Sequence, residues 1–318
     1  MIADARPRAA PKPRDAGREP EGRFDTVIIP DCFAGPGNAW KFNGAHPEMP
    51  SQFQIATLLI YAASLGLYLL FLRGSSDQMG RVASVCLLGG IALHYLMLLE
   101  RARASASVPY HDLAGSLSLF GWLLAVTYFG LELFHGKRSV GAFVVPCVLA
   151  ASLAGWATPA AQASTLPARG TLFALHVTAN ILAYAAFGIA CVTSSIYLWQ
   201  ERALRARRPG PAFWRFPAME LLEGMSRTSV WAGVAASAVG LTLGFLWAQR
   251  VEGHFFSGDP KEIVSLVVLA GYGVYLRVSR NAAWRGARAS VLCIANFGLV
   301  VFSFTVVNLY LSRYHRYF

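Results

Sequence analysis

The chain has 318 residues, 55% of them hydrophobic and only 14% charged, and 28 Lys and Arg stand against 17 Asp and Glu for a net charge of +11. An ordinary soluble domain carries about a quarter of its residues as charges. The composition disfavours a soluble enzyme, a disordered protein and a nucleic-acid-binding domain, so no nucleic-acid partner is expected.

Residues 1–48 hold seven basic and seven acidic residues, so this stretch is neutral and the whole +11 belongs to the rest. Residues 1–23, rich in Pro, Ala, Arg and Glu, are expected to form a disordered polar tail. No apolar run of seven or more falls within residues 1–26, so a cleavable signal peptide is not expected. Residues 24–52 differ: Val27, Ile28, Ile29, Trp40 and Phe42 lie among Gly and Pro, as in an external segment packed on a membrane face. From there the sequence reads as an eight-helix membrane domain, residues 53–318. Crossing the hydrocarbon core takes about 20 apolar residues. Candidate spans lie at 53–73, 82–99, 113–134, 139–156, 172–199, 229–248, 263–279 and 287–311, and the stretch from Ala114 to Leu131 has no charge at all. The expected fold class is therefore all-α, a polytopic integral membrane protein with about eight transmembrane helices. The ten-residue alternating blocks of a membrane β-barrel do not occur.

An even number of spans puts both termini on one side. The loops of one side, 74–81, 135–138, 200–228 and 277–288 with their flanks, carry fourteen basic residues, and the other side carries seven. The positive-inside rule makes the first side cytoplasmic. The expectation is a multi-pass protein of the plasma (inner) membrane with both termini on the external, periplasmic side. The loops 100–112, 157–171 and 249–262 and the C-terminus then share the external face.

Three of the seven histidines bear on function. His176 lies near the external end of the fifth span. His315 lies just beyond the last span, on the same face. His94 lies inside the second span, about 8 Å from its external end. Imidazoles at similar depth on one face suit a bis-histidine heme or a metal. The same positions also suit interfacial anchors, and His94 a hydrogen bond between helices. The loop after the sixth span runs Trp247-Ala248-Gln249-Arg250-Val251-Glu252-Gly253-His254-Phe255-Phe256-Ser257-Gly258-Asp259. Its aromatics fit either the membrane interface or a flat apolar ligand. Asp259-Pro260-Lys261-Glu262 has the form of a helix start, with Asp as N-cap, Pro at N1 and Glu at N3. Of five cysteines only Cys32 is expected outside the membrane, and neither C-x-x-C nor C-x-x-C-H occurs. That disfavours a thiol–disulfide exchanger and excludes a c-type cytochrome. The spans hold almost no Asp or Glu, which weakens a proton-coupled transporter.

These stretches, taken in order, resemble the cytochrome c assembly proteins of the CcsA/ResC type, within the heme-handling superfamily that includes CcmC and HemX. The resemblance covers about residues 90–318. Leu175-His176-Val177 with Ile181 to Phe187 is similar to the family's first external-histidine helix, and Tyr197 to Arg202 to its end. Gly240-Leu241-Thr242-Leu243-Gly244 with Trp247-Ala248 resembles the helix before the heme loop. Asp259-Pro260-Lys261-Glu262 is the strongest local match, and Asn308 to His315 resembles the second external histidine and its helix. Pro109 and Leu113 to Trp122 are similar to the family's third-helix entry.

The resemblance implies heme b as cofactor, with His176 and His315 as ligands to the iron. It implies a flat heme face against Trp247, Gly253, Phe255, Phe256 and Asp259, and an inner site or path at His94. It implies delivery of heme to apocytochrome c at the external face, beside a CcsB/ResB-type membrane partner, as part of a cytochrome c heme lyase. No general base is expected, since the chemistry is mostly positioning. Two departures stand against a catalytic role. In the family's W-G-x-x-W-x-W-D signature, Glu252, Phe256 and Gly258 replace the three Trp. Leu276-Arg277 replaces the second membrane histidine. They leave open a degenerate, non-catalytic paralogue serving as a structural or regulatory subunit of a membrane complex.

Overall fold

A computed structural model describes residues 52–74, 76–105, 112–158, 170–207, 213–256 and 258–305. The expected polar tail, the segment before Gln52 with Cys32, and His315 lie outside the described residues. The described residues hold eight α-helices and one short 3-10 turn, with no strand among them. The helices are α1 (Gln52–Leu72), α2 (Asp77–Ser105), α3 (Leu113–His135), α4 (Gly141–Ala157), α5 (Gly170–Arg205), α6 (Met219–Glu252), α7 (Pro260–Val278) and α8 (Ala287–Phe302). The protein is all-α.

Six helices are long and apolar enough to cross a membrane: α1, α2, α3, α5, α6 and α8. The other two are marginal for identifiable reasons. The helix α4 has only 17 residues, with Pro146 inside it, and α7 begins Pro-Lys-Glu and ends with Arg277 in its last turn. The burial pattern also belongs to a membrane protein. Every buried residue of α1 carries a hydroxyl, namely Thr57, Tyr61, Ser64 and Tyr68. Leu59, Val85 and Leu133 are two-thirds exposed on the outside. Polar groups turned inward and aliphatic groups turned outward suit a solvent that cannot hydrogen-bond.

Helix ends follow from local chemistry. Asp112 caps α3 by accepting the Gly115 N–H at 2.8 Å, and it pairs with Arg101 at 2.5 Å, joining the end of α2 to the start of α3. Helices α5 and α6 both outrun their apolar cores. Helix α5 continues to Arg205 through Gln200-Glu201-Arg202-Ala203-Leu204, all good helix formers, with a Glu201–Arg205 pair at 2.7 Å one turn apart. Helix α6 starts at Met219 and runs to Glu252, four residues into the expected external loop. It stops at Gly253, whose φ of +77° is the left-handed conformation that ends a helix.

The pair that positions the site is α5 with α6. They run antiparallel in one register over six turns. From one end, Ser194 meets Ser226 with 3.1 Å between hydroxyl oxygens, and Phe187 covers Gly233. Asn180 then covers Gly240, His176 covers Gly244, and Phe173 packs against Trp247 at a tilt, with 4.9 Å between ring centroids. Each step along α5 is matched by an equal step back along α6. Glycines at these steps bring the two backbones close, as small residues do between membrane helices.

Candidate functional site

The groove at one end of this pair is formed by α5, α6, the start of α7 and the end of α8. It is narrow and half open, with about 80 Å³ of space for water-sized groups inside it. Its walls are mainly apolar, with Val177, Ile181, Leu241 and Phe245, and its polar groups include His176, Asn180, Tyr184, Lys261 and Ser303.

His176 is half-buried in the wall. Its Nδ1 lies 2.6 Å from the Gly240 carbonyl oxygen. A carbonyl only accepts, so the proton must be on Nδ1. In the neutral ring Nε2 then keeps its lone pair, and no described group hydrogen-bonds it. Asn180, one turn along, donates its Nδ2–H to the His176 carbonyl oxygen at 2.9 Å. The glycines make this contact possible: a Cβ on Gly244 would stand 2.5 Å from Cε1 and Nδ1 of the ring, and one on Gly240 would stand 2.7 Å from the Asn180 amide nitrogen. An imidazole with Nδ1–H on a backbone carbonyl and a free Nε2 is the arrangement of a metal-ligating histidine. The His176 Nε2 could therefore serve as a ligand to a metal centre held in this groove.

The structure distributes the other expected residues unevenly. Trp247 lines the groove with His176. Phe256 packs against Phe245 of the groove wall, with centroids 6.5 Å apart, while Phe255 is 58% exposed. Gly253 and Asp259 serve helix ends. Asp259 is the N-cap of α7, accepting the Lys261 N–H at 2.9 Å, and Glu262 accepts the Gly258 N–H at 3.2 Å. The N-cap, N1 and N3 roles read from the sequence are those found. His94 stands apart from the groove at 1% exposure, with Nδ1 3.3 Å from the Tyr61 hydroxyl and Nε2 3.0 Å from the Ser118 hydroxyl. Both its nitrogens are occupied within the bundle.

Sequence reasoning passed over Asn180, Lys261 and the use of Gly240 and Gly244. The last had a signal: Gly240-x-x-x-Gly244 is a close-approach motif in an apolar helix. Asn180, one helical turn from a candidate ligand inside a span, was another.

A family model described as Cytochrome C assembly protein matches residues 110–315. Protein HemX of Brevibacillus brevis is 28% identical over 254 residues, covering 78% of this chain and 92% of that protein. The cytochrome c biogenesis protein CcsA of Chlamydomonas reinhardtii is 28% identical over 233 residues, covering 70% of this chain and 64% of that protein. The protein of the same name from Synechococcus sp. (strain CC9902) is 25% identical over 295 residues, covering 83% and 97%.

Proposed function

The chain belongs to the cytochrome c assembly protein family, and on that premise we propose that it binds heme b at the external face for cytochrome c biogenesis. The single observation that carries this reading is the His176 ring, its Nδ1 proton held by the Gly240 carbonyl and its Nε2 left for a metal. His176 and His315 are the proposed ligands to the heme iron. Trp247 with Phe173 supplies an aromatic wall, and the Gly253 to Asp259 loop with Phe255 and Phe256 supplies the flat cover. Bound heme brings the iron and the reactive vinyl groups. The chain's own part is to hold the ring, exclude water from the apolar wall and keep the loop anchored at α7. His94 would have to release Tyr61 or Ser118 to serve a heme path.

The site lies on the proposed periplasmic side of a plasma (inner) membrane, with both termini on that side. Residues 1–23 are the proposed tail, 24–52 an external segment, and 53–318 the membrane domain. A CcsB/ResB-type membrane protein and apocytochrome c are the proposed partners. The exposed Phe255 and Phe256 in a loop lacking the family's tryptophans favour one alternative, a non-catalytic subunit of a membrane complex.

A visible spectrum of the purified protein decides. The proposal expects a Soret band in the wild type that His176→Ala and His315→Ala both abolish. A colourless wild type from heme-replete cells overturns it and leaves the subunit reading.

A further inference from the structure

Resting on the heme reading above, we propose that Lys261 is the carboxylate-binding residue of the groove, taking an acidic group on the edge of the bound macrocycle. Lys261 is the one cation among the described residues lining the groove, beside the one carboxylate, Glu262, and the walls are otherwise mainly apolar. It is half-buried, so its charge acts through a lower effective dielectric than water. Its backbone is fixed. Asp259 accepts its N–H at 2.9 Å, and the Ser265 hydroxyl donates to its carbonyl oxygen at 2.7 Å one turn on. On α8's side of the groove, Ser303 has a buried hydroxyl with no hydrogen-bond partner of normal geometry among the described residues. The groove therefore offers one imidazole, one cation and one unsatisfied hydroxyl around mainly apolar walls, and its one carboxylate, Glu262, accepts the Gly258 N–H at 3.2 Å. A ligand that is apolar over its face and carries a carboxylate at its edge matches that division. A neutral ligand of the same shape would draw nothing from the lysine.

The test titrates the purified full-length protein in detergent with iron protoporphyrin IX and with its dimethyl ester, following the Soret band. The wild type is expected to bind the diacid about tenfold more tightly, the scale of one charge-assisted hydrogen bond. Lys261→Gln should bring the diacid down to the affinity of the ester and leave the ester unchanged. Retained ester binding shows that the variant is folded. Lys261→Arg should keep the preference. Equal affinities in the wild type, or a preference that survives in Lys261→Gln, overturn the assignment while leaving heme binding standing. Failure of both porphyrins to bind the wild type overturns the heme reading itself, and this assignment with it.

Discussion

The Nδ1 of His176 donates to the carbonyl oxygen of Gly240 across 2.6 Å, from α5 to α6. This bond fixes the tautomer, and it depends on how closely the two helices approach. The approach depends in turn on glycines, because side chains at 240 and 244 would meet Asn180 and His176. The ligand, its orienting acceptor and the helix register are therefore one feature.

Gly244→Ala tests that unity. The new Cβ would stand 2.5 Å from the imidazole, so the ring must leave its position. Alanine is favoured over glycine in a helix by about 1 kcal/mol, so backbone propensity alone would not unfold the variant. The expected result is heme affinity lowered by about 10- to 100-fold, the usual effect of losing a ligand's orienting partner. Soret titration gives the affinity, and thermal unfolding in detergent checks the fold. Unchanged affinity would show that His176 does not hold the iron in this orientation.

His94 gives the contrasting case. Tyr61 and Ser118 occupy both of its nitrogens, and it bridges α1 and α3 from α2. His94→Leu leaves two buried hydroxyls without this partner, at a cost of about 1–3 kcal/mol. His94→Gln keeps a donor and an acceptor and should lose less. The spectrum of the His176 site should survive in His94→Gln. A wild-type unfolding midpoint in His94→Leu would remove the bridging role.

The turn before α8 separates two neighbours. Arg285 pairs with Glu223 at 2.8 Å, and that hydrogen bond raises the guanidinium above its ordinary pKa. The Arg285 side chain is half exposed, and solvent screening there keeps such contacts weak. Arg285→Ala is expected to leave the unfolding midpoint unchanged. Gly286 has φ +83° and ψ −125°, and a Cβ there would stand 2.5 Å from the Tyr197 hydroxyl. Gly286→Ala should cost about 1–3 kcal/mol through backbone strain. The reverse order of the two effects would contradict this geometry.

Hydrophobic length made the helices legible in the sequence, because each apolar run reports its own span. Helix ends were less legible. Arg250 and Val251 look like loop residues by polarity and position, yet α6 carries them because nothing before Gly253 stops a helix. The start of α7 was legible to the residue, since a cap is a local matter of Asp, Pro and Glu. The site was legible only in part. His176 and Trp247 were visible as residue types, but the groove between them depends on the α5–α6 register. A register pairs residues some 60 positions apart and leaves only spaced glycines as a local trace. The same limit hid Tyr61 and Ser118 as the neighbours of His94.

Glu132 is a further case of that limit, an acidic residue at the end of an apolar helix whose partners are distant in sequence. It is 3% exposed. The Tyr68 hydroxyl donates to Oε2 at 2.6 Å, the Ser84 hydroxyl donates to Oε1, and the Arg138 Nε lies 3.8 Å away. One carboxylate thus joins α1, α2, α3 and the turn into α4. Glu132→Leu takes the acceptor from the Tyr68 hydroxyl and the counter-charge from Arg138, while the Ser84 hydroxyl keeps the Gly80 carbonyl oxygen at 3.0 Å. The expected loss is about 1–3 kcal/mol, since unmet buried groups cost more than the bonds contribute. Glu132→Gln keeps an acceptor and gives up the charge, so it should fall between. Tyr68→Phe removes one donor and leaves the carboxylate its other partners, so its loss should be about 0.6 kcal/mol, typical of one hydrogen bond between membrane helices. Unfolding midpoints in detergent should therefore run wild type, Tyr68→Phe, Glu132→Gln, Glu132→Leu from highest to lowest. Equal midpoints for Glu132→Leu and the wild type would show that this carboxylate does not hold the first three helices together.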